Sequence, residues 1–217
     1  MFKVWMWKQL FADFPVFLQG FGITLGVSLI ALALTLVISF AVGLVRCFHN
    51  KALRKVAKGY MSGFQNTPLV VQIFFLYNVL PRFNLVLNPF EVGCIGLSLY
   101  TGAFGAAIIE AAIKAVPHEQ TEASLSQGFG YLQTMVLVVL PQAMKIALPP
   151  MANQAVNLIK NSSVMALIAG GELMYRADSW SSDTSVYGPT FIVTGLLYLS
   201  ICLPLSKTVQ KMERKAR

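Results

Sequence analysis

The chain has 217 residues, of which 56% are hydrophobic and only 12% are charged, and its formal net charge is +8. Soluble domains carry about 25% charged residues, so this composition indicates an integral membrane protein and excludes an ordinary soluble domain. The basic residues cluster between long apolar stretches, a pattern typical of basic flanks that face anionic lipid. The predicted partner is therefore the lipid bilayer, and no nucleic acid.

The first apolar stretch carries no charge between Asp13 and Arg46. A membrane-spanning helix needs about 20 apolar residues, and we predict this span over residues 21–44. The loop behind it has five basic residues and no acid: Arg46, Lys51, Arg54, Lys55 and Lys58. By the positive-inside rule this loop is cytoplasmic and the N-terminus is outside. The aromatic-rich residues before the span predict an interfacial helix or an aromatic belt.

Four further apolar stretches predict spans over residues 60–80, 90–113, 142–169 and 190–205. The third span is rich in Gly and Ala, which indicates close helix packing. The fourth is interrupted by Lys145, by Pro149-Pro150 and by a polar run, and either one broken span or two short buried helices would fit. We favour one broken span, because irregular backbone is tolerated at membrane depth where it lines a cavity.

These spans predict an all-α integral membrane protein with one domain, residues 1–217, and five transmembrane helices. The segment between the last two spans is expected to be an external loop. The tail has five basic residues and is assigned to the cytoplasm: Lys207, Lys211, Arg214, Lys215 and Arg217. The C-terminus is therefore predicted inside.

The sequence contains no pattern of catalytic residues. His49 and His118 both lie in predicted cytoplasmic loops, away from Ser162 in the fourth span, so they form no nucleophile–base pair with it. Metal-binding and nucleotide-binding motifs are missing from the sequence. We therefore predict no catalytic residue, no metal site and no cofactor bound by this chain, and any energy from ATP must come from a separate subunit.

Several polar side chains fall inside the predicted spans, where a charge costs about 2.5–3.5 kcal/mol. For Gln72 and Asn153, a role in the solute path and plain interhelical hydrogen bonding remain equally open. For the polar cluster that follows Asn153 in the sequence, we favour a role in the solute path over plain hydrogen bonding. Its members are Asn157, Lys160, Asn161, Ser162 and Ser163. A break there would aim a helix N-terminus, beginning near Ser162, toward a carboxylate, and Lys160 would add positive charge.

The polar segment 114–134 separates the third and fourth spans and is predicted to form a short helix, a turn and a second helix in the cytoplasm. Just before it, Glu110 is interpreted as the ion-pair partner of Lys114, four residues further along the helix.

Residues 122–124 (Glu-Ala-Ser), Gly128 and residues 138–141 (Val-Val-Leu-Pro) resemble the EAA motif of permease subunits in ABC importers. Ser124 replaces the second Ala of that motif. Residues 67–75, 139–154 and 158–164 are similar to the polar amino acid branch of these permeases, so the resemblance covers nearly the whole chain.

The resemblance implies a five-span permease in the bacterial inner membrane that imports a polar amino acid. It implies a second permease subunit (the same or a homologous chain), two ATPase subunits that bind ATP and Mg, and an extracytoplasmic solute-binding protein. It also implies that segment 114–134 is a coupling loop that docks into the ATPase. Its coupling residues would be Glu122, Ala123, Ser124, Gly128 and Gly130.

Two departures from the family pattern bear on the substrate. Gln65-Asn66 stands where the family usually has Arg-Gly, and Ala107 stands where it usually has Glu. The missing acid indicates either that the chain is one half of a heterodimer whose partner carries the site, or that the substrate is not strongly cationic. Together with Lys160, it favours glutamate, glutamine or another neutral or acidic amino acid. The alternative function is an ATPase-independent channel or an exporter component.

Overall fold

The computed structural model of the chain describes residues 3–48 and 50–216, with side chains up to residue 214. His49, Arg217 and the side chain of Lys215 lie outside the described residues. Within these ranges the fold is entirely α-helical apart from short turns and loops, as predicted. The helices are α1 (Val4–Ala12), α2 (Phe14–Cys47), α3 (Lys51–Gln65), α4 (Leu69–Asn78), α5 (Pro89–Ala115), α6 (His118–Ser126), α7 (Tyr131–Thr134), α8 (Leu140–Asn161), α9 (Leu173–Thr184) and α10 (Tyr187–Ala216).

Helices α7 and α8 belong to one continuous helix that also includes a π-helical turn, Met135–Val139, and a terminal 3-10 segment, Ser162–Ile168. In the described part of the chain, four helices are long and apolar enough to cross a membrane: Phe14–Cys47, Pro89–Ala115, Tyr131–Ile168 and Tyr187–Arg214. They overlap the predicted spans 21–44, 90–113, 142–169 and 190–205, and all but Pro89–Ala115 extend well beyond the predicted range.

The predicted span over residues 60–80 is broken in the structure. Helix α3 ends at Gln65, and α4 has only 10 residues, about 15 Å against a hydrocarbon core of about 30 Å. The break lies at Pro68, because proline has no N–H to donate and disfavours helical backbone in the residue before it. Gln72 supports the break, since its Nε2 donates to the carbonyls of Phe64 at 3.0 Å and Thr67 at 3.2 Å.

Helices α2 and α5 pack against each other along their length, and glycines allow the close approach that the sequence predicted. A Cβ at Gly43 would lie 2.6 Å from Cβ of Ile109, and one at Gly102 would lie 2.8 Å from Cγ2 of Ile38. Because these distances are shorter than real Cβ contacts allow, the two helices could not pack this way with larger residues.

The expected external loop is mostly helix α9. Ala169 and Gly171 have positive φ values of 55° and 70° and turn the chain into it. Its N-cap is Glu172, whose carboxylate accepts from the N–H groups of Met174 at 2.6 Å and Tyr175 at 2.8 Å. By capping the helix, this acid has a structural role in a segment expected to be an external loop.

Glu172 is fully buried and also joins α9 to α10, because the Tyr198 hydroxyl donates to its Oε2 at 3.0 Å. Burial raises the pKa of the Glu172 carboxyl above its usual range, while its three hydrogen bonds act in the opposite direction. Helix α9 is tied to α2 as well, since the Leu173 N–H donates to Thr24 Oγ1 at 3.1 Å. The segment is therefore part of the packed structure.

Replacing Gly43 by Ala should destabilise the α2–α5 pair. The new Cβ would meet Ile109 and lie 3.1 Å from the Ala106 carbonyl oxygen, and overpacking of this kind costs about 1–3 kcal/mol. The measurement is the free energy of unfolding of the purified chain in detergent.

The matched control is Gly22→Ala in the same helix, where no heavy atom lies within 4 Å of the new Cβ. It should leave stability unchanged or slightly raised. Equal stability of the two variants would contradict the close packing at Gly43.

Candidate functional site

The segment between α5 and α8 has the helix, turn and helix that its sequence predicts. Helix α5 ends at Ala115, because Val116 precedes proline and adopts an extended conformation. Helix α6 then runs from His118 to Ser126. The turn behind it depends on Gly128, whose φ of +87° lies in the region that glycine adopts without steric cost.

A buried hydrogen bond joins α6 to the continuous helix that begins at Tyr131. The hydroxyl oxygens of Ser124 and Thr134 lie 2.9 Å apart, and both residues are buried. The side chain of Gln133 also accepts from the Gly130 N–H at 2.9 Å. Ser124, predicted as a coupling residue, thus lies inside the segment and holds α6 in place.

The solvent-exposed side of segment 114–134 carries the one acid among the predicted coupling residues together with several apolar side chains. Of the predicted coupling residues, Glu122, Ala123, Gly128 and Gly130 are exposed. Glu122 Oε1 lies 3.1 Å from His118 Nδ1. Exposed apolar side chains surround them: Leu125, Phe129 and Leu132. We call Glu122, Ala123, Leu125, Phe129 and Leu132 the α6 surface. Clustered exposed apolar residues beyond the apolar spans mark an interaction site.

The π-helical turn follows from Pro141. Proline has no N–H for the carbonyl four residues earlier, that of Leu137, and its ring crowds that carbonyl. The helix widens there, so that the Leu140 N–H bonds to the Met135 carbonyl, five residues back. Gln142 Nε2 donates to the Val138 carbonyl at 2.9 Å. The helix that begins at Tyr131, after the turn that follows α6, therefore continues without interruption into α8.

An ion cluster beside this segment joins three helices. Arg46 at the end of α2 binds Glu110 of α5 through two contacts, Nε–Oε2 at 2.8 Å and Nη2–Oε1 at 3.1 Å. Lys114 Nζ binds the same carboxylate at 2.6 Å. Arg46 also donates to the Arg54 carbonyl of α3 at 3.3 Å. Glu110 is only 8% exposed, so the arginine compensates a carboxylate that is largely removed from water.

The i,i+4 pair of Glu110 and Lys114 was predicted correctly, but the stronger partner, Arg46, was missed. Local spacing cannot reveal it, because the two residues are 64 positions apart. The sequence does contain a signal for this pair. Glu110 is a lone acid near the end of the third predicted span, and Arg46 is the first basic residue after the first predicted span.

The predicted solute-path residues lie in three different settings. Asn153, Asn157 and Lys160 are exposed and share one face of α8, since their spacings of four and three residues match the helical period. The first of them, Asn153, donates to Glu213 Oε1 of α10 at 3.1 Å. A polar face of this kind on a membrane helix is costly against lipid. Asn161 is partly buried beside this face.

Gln72 and Ser162 are separate from this face. Gln72 supports the break before α4, and Ser162 is fully buried, with its hydroxyl donating to the Ile159 carbonyl at 2.7 Å. No new helix begins at Ser162, contrary to expectation, because α8 tightens into a 3-10 segment whose first N–H groups remain bonded. No helix N-terminus therefore adds to the positive charge of Lys160 at this position.

A cavity of about 320 Å³ lies next to this position, between the end of α8 and helices α9 and α10. Its lining contains one cation, three hydroxyl groups and no acid: Lys160, Ser163, Met174, Phe191, Thr194, Gly195 and Tyr198. Such a lining suits a small solute with a carboxylate.

Known proteins with similar sequences and structures are transporter permeases. Residues 36–217 match the sequence profile of the family described as "Binding-protein-dependent transport system inner membrane component". The "Probable glutamine ABC transporter permease protein GlnM" of Bacillus subtilis is 41% identical over 206 residues, 95% of each chain. The "Probable amino-acid ABC transporter permease protein YckA" of Bacillus subtilis is 36% identical over 90% of this chain and 86% of that protein.

The fold is also known from experiment. One chain of the crystal structure of an amino acid ABC transporter with histidines superposes with a TM-score of 0.89 and 29% sequence identity, covering 96% of this chain and 97% of that chain. The helical arrangement described above therefore has an experimental counterpart.

Arg46→Gln should destabilise the chain far more than Lys114→Gln, although each removes one cation from Glu110. Arg46→Gln removes the two charge-assisted hydrogen bonds that the largely buried Glu110 accepts from Arg46 and leaves it only Lys114, a loss of about 1.5–3 kcal/mol. Lys114 is 65% exposed, and an exposed pair contributes less than about 1 kcal/mol. Unfolding of both variants in detergent measures the difference, and equal losses would contradict the assigned roles.

Proposed function

The chain belongs to the family of binding-protein-dependent transport system inner membrane components, and from this premise we propose how it crosses the membrane, couples to ATP and selects its solute. Its role is that of a permease subunit of an amino acid ABC importer in the bacterial inner membrane. It is a transport subunit, and ATP is hydrolysed by a separate subunit.

We place the N-terminus outside and the C-terminus in the cytoplasm, with five crossings. The Arg46–Glu110 pair supports this, because it puts the C-terminal ends of α2 and α5 at the same level. Two helices that end on one side of the membrane require a return crossing between them. Helices α3 and α4, with the break at residues 66–68, provide that crossing in two parts.

The α6 surface supports a role in coupling, because the hydrogen bond between Ser124 and Thr134 fixes α6 against the continuous helix that begins at Tyr131. We assign it to an ATPase subunit, with Glu122 facing basic residues and the apolar side chains filling a groove. Two ATPase subunits with ATP and Mg would then move α6 together with α8. Because the helix runs unbroken from Tyr131 to Ile168, this movement reaches the cavity beside Lys160.

The exposed polar face of α8 supports a second permease subunit. Asn153, Asn157 and Lys160 are exposed in the single chain, and a membrane helix does not present such residues to lipid without cost. A second copy or a homologous permease would enclose this face as the wall of a polar path. An extracytoplasmic solute-binding protein would deliver the solute at the side of α9.

Glu122→Lys should disrupt ATPase docking, because the new lysine would face the basic residues of the ATPase subunit. Transport should fall at least tenfold. The control is Asp183→Lys on α9, an exposed acid at the opposite end with the same change in charge. Copurification of the ATPase subunits and uptake by the reconstituted complex are the measurements.

The control should copurify with the ATPase subunits as the parent protein does, and copurification alone is compared for it, because α9 is the proposed side of the solute-binding protein. Normal ATPase association of Glu122→Lys would contradict the docking assignment. Uptake that continued without ATPase subunits would favour the alternative of a passive channel.

The proposed substrate is glutamine, glutamate or a similar neutral or acidic amino acid. Support comes from the cavity, whose one cation is Lys160 and whose lining has no acid. A relative that is 41% identical carries glutamine in its name. Lys160 would bind the solute carboxylate, and the hydroxyl groups of Ser163 and Thr194 would contact its polar groups.

Uptake of labelled glutamine or glutamate, with no uptake of arginine, is the expected result for the reconstituted complex. Lys160→Met should raise KM about tenfold or more, since a hydrogen bond to a charged group contributes about 1.5–3 kcal/mol. Lys145→Met, an exposed lysine of α8 that is not part of the cavity lining, is the control. Transport of arginine alone would contradict the assignment.

A further inference from the structure

The cavity beside Lys160 is bounded on one side by a single face of α10. Phe191, Gly195 and Tyr198 all line it, and their spacings of four and three residues bring positions onto one face of a helix. Gly195 therefore lies between two aromatic residues and has no side chain of its own. The space between the two rings is open because position 195 is a glycine.

Packing within the chain does not require a glycine at this position. A Cβ at Gly195 would meet no heavy atom within 4 Å in the described part of the chain, whereas a Cβ at Gly102 would lie 2.8 Å from Cγ2 of Ile38. Long side chains on a helix point back over the preceding turn, which here contains Phe191. A larger residue at position 195 would therefore extend along the face that lines the cavity and reduce its volume.

A buried acid behind the lining fixes the width of the cavity. The Glu172 carboxylate accepts from the Met174 N–H of α9 at 2.6 Å and from the Tyr198 hydroxyl of α10 at 3.0 Å. Met174 and Tyr198 both line the cavity, so one carboxylate ties two of its walls together. Because Glu172 is fully buried, water does not compete for these hydrogen bonds. A side chain added at position 195 would therefore take up space that the walls do not restore by moving apart.

Lys160 is the proposed partner of the solute carboxylate, so the rest of the solute has to lie against the remaining lining. We propose that the space at Gly195 holds the solute side chain, and that Gly195 determines the largest side chain that the permease accepts. This inference rests on the proposed function of the cavity as the solute site. It adds a residue that selects for size to the cation that selects for charge.

The experiment measures binding of labelled glutamine to the purified complex of permease and ATPase subunits. The solute-binding protein is omitted, so that its own selectivity does not enter. Asparagine, which carries the same amide on a side chain one methylene shorter, is the competitor. Gly195→Leu should weaken glutamine binding about tenfold or more and asparagine binding much less, since one methylene in a confined pocket changes discrimination by about 10–200-fold.

Gly195→Ala adds one methyl group that meets no heavy atom within 4 Å in the described residues, so it tests the same point with the smallest change in structure. It should shift the preference from glutamine toward asparagine by a smaller factor than Gly195→Leu. The matched control is Gly22→Leu, at an exposed glycine of α2 with equally open surroundings and no place in the cavity lining. It should bind both amino acids as the parent complex does.

Three results would overturn the inference. The first is an unchanged preference between glutamine and asparagine in both Gly195 variants. The second is equal weakening of both amino acids, which is the result of disturbed packing. The third is loss of the second permease subunit from the Gly195→Leu complex, which would assign this exposed glycine to the contact between permeases.

Lys160→Met separates this inference from the proposed function. Weaker glutamine binding by Lys160→Met, together with parent-like binding by both Gly195 variants, would keep the cavity as the solute site and reject only the role of Gly195. Parent-like binding by Lys160→Met, or no glutamine binding by the parent complex, would reject the cavity as the solute site and the inference with it.

Discussion

The close approach of α2 and α5 is the constraint on which the rest of this structure depends. Hydrophobic burial does not drive helices together in lipid, so association relies on packing and on polar contacts. Gly43 and Gly102 provide the packing. At the end of the pair, Arg46 and Glu110 provide the polar contact and hold the two helices in one register.

Two consequences follow from this register. In the topology we propose, the chain between α2 and α5 returns across the membrane through α3 and α4, whose break is supported by Gln72. Helix α6 has to begin beside the end of α2, because α5 stops at Ala115 and Pro117 starts the next helix. Segment 114–134 and the basic helix α3 therefore share one end of the molecule.

The opposite end is organised by a different buried acid. Glu172 caps α9 and accepts from Tyr198 of α10, while Thr24 of α2 accepts from the N–H of Leu173. One carboxylate and one hydroxyl thus connect three helices near the cavity beside Lys160. Between the two ends runs the continuous helix 131–168, whose buried face packs on α5 and whose exposed face carries Asn153, Asn157 and Lys160.

The sequence predicts an all-α membrane protein, the helix–turn–helix at residues 114–134 and five spans. Four of these spans are long helices in the structure, the one over residues 60–80 is split, and the one favoured as broken, 142–169, is part of an unbroken helix. Charge-free runs and clustered basic residues are local signals that the physics of membrane insertion interprets, whereas the spacing of Glu122, Gly128 and Pro141 is informative through its resemblance to the EAA motif. Tertiary structure alone decided that Arg46 pairs with Glu110, that Ser124 is buried against Thr134, and that Glu172 is a buried cap. The reason is that burial and long-range pairing depend on which helix faces meet, and a single apolar sequence leaves those faces unspecified.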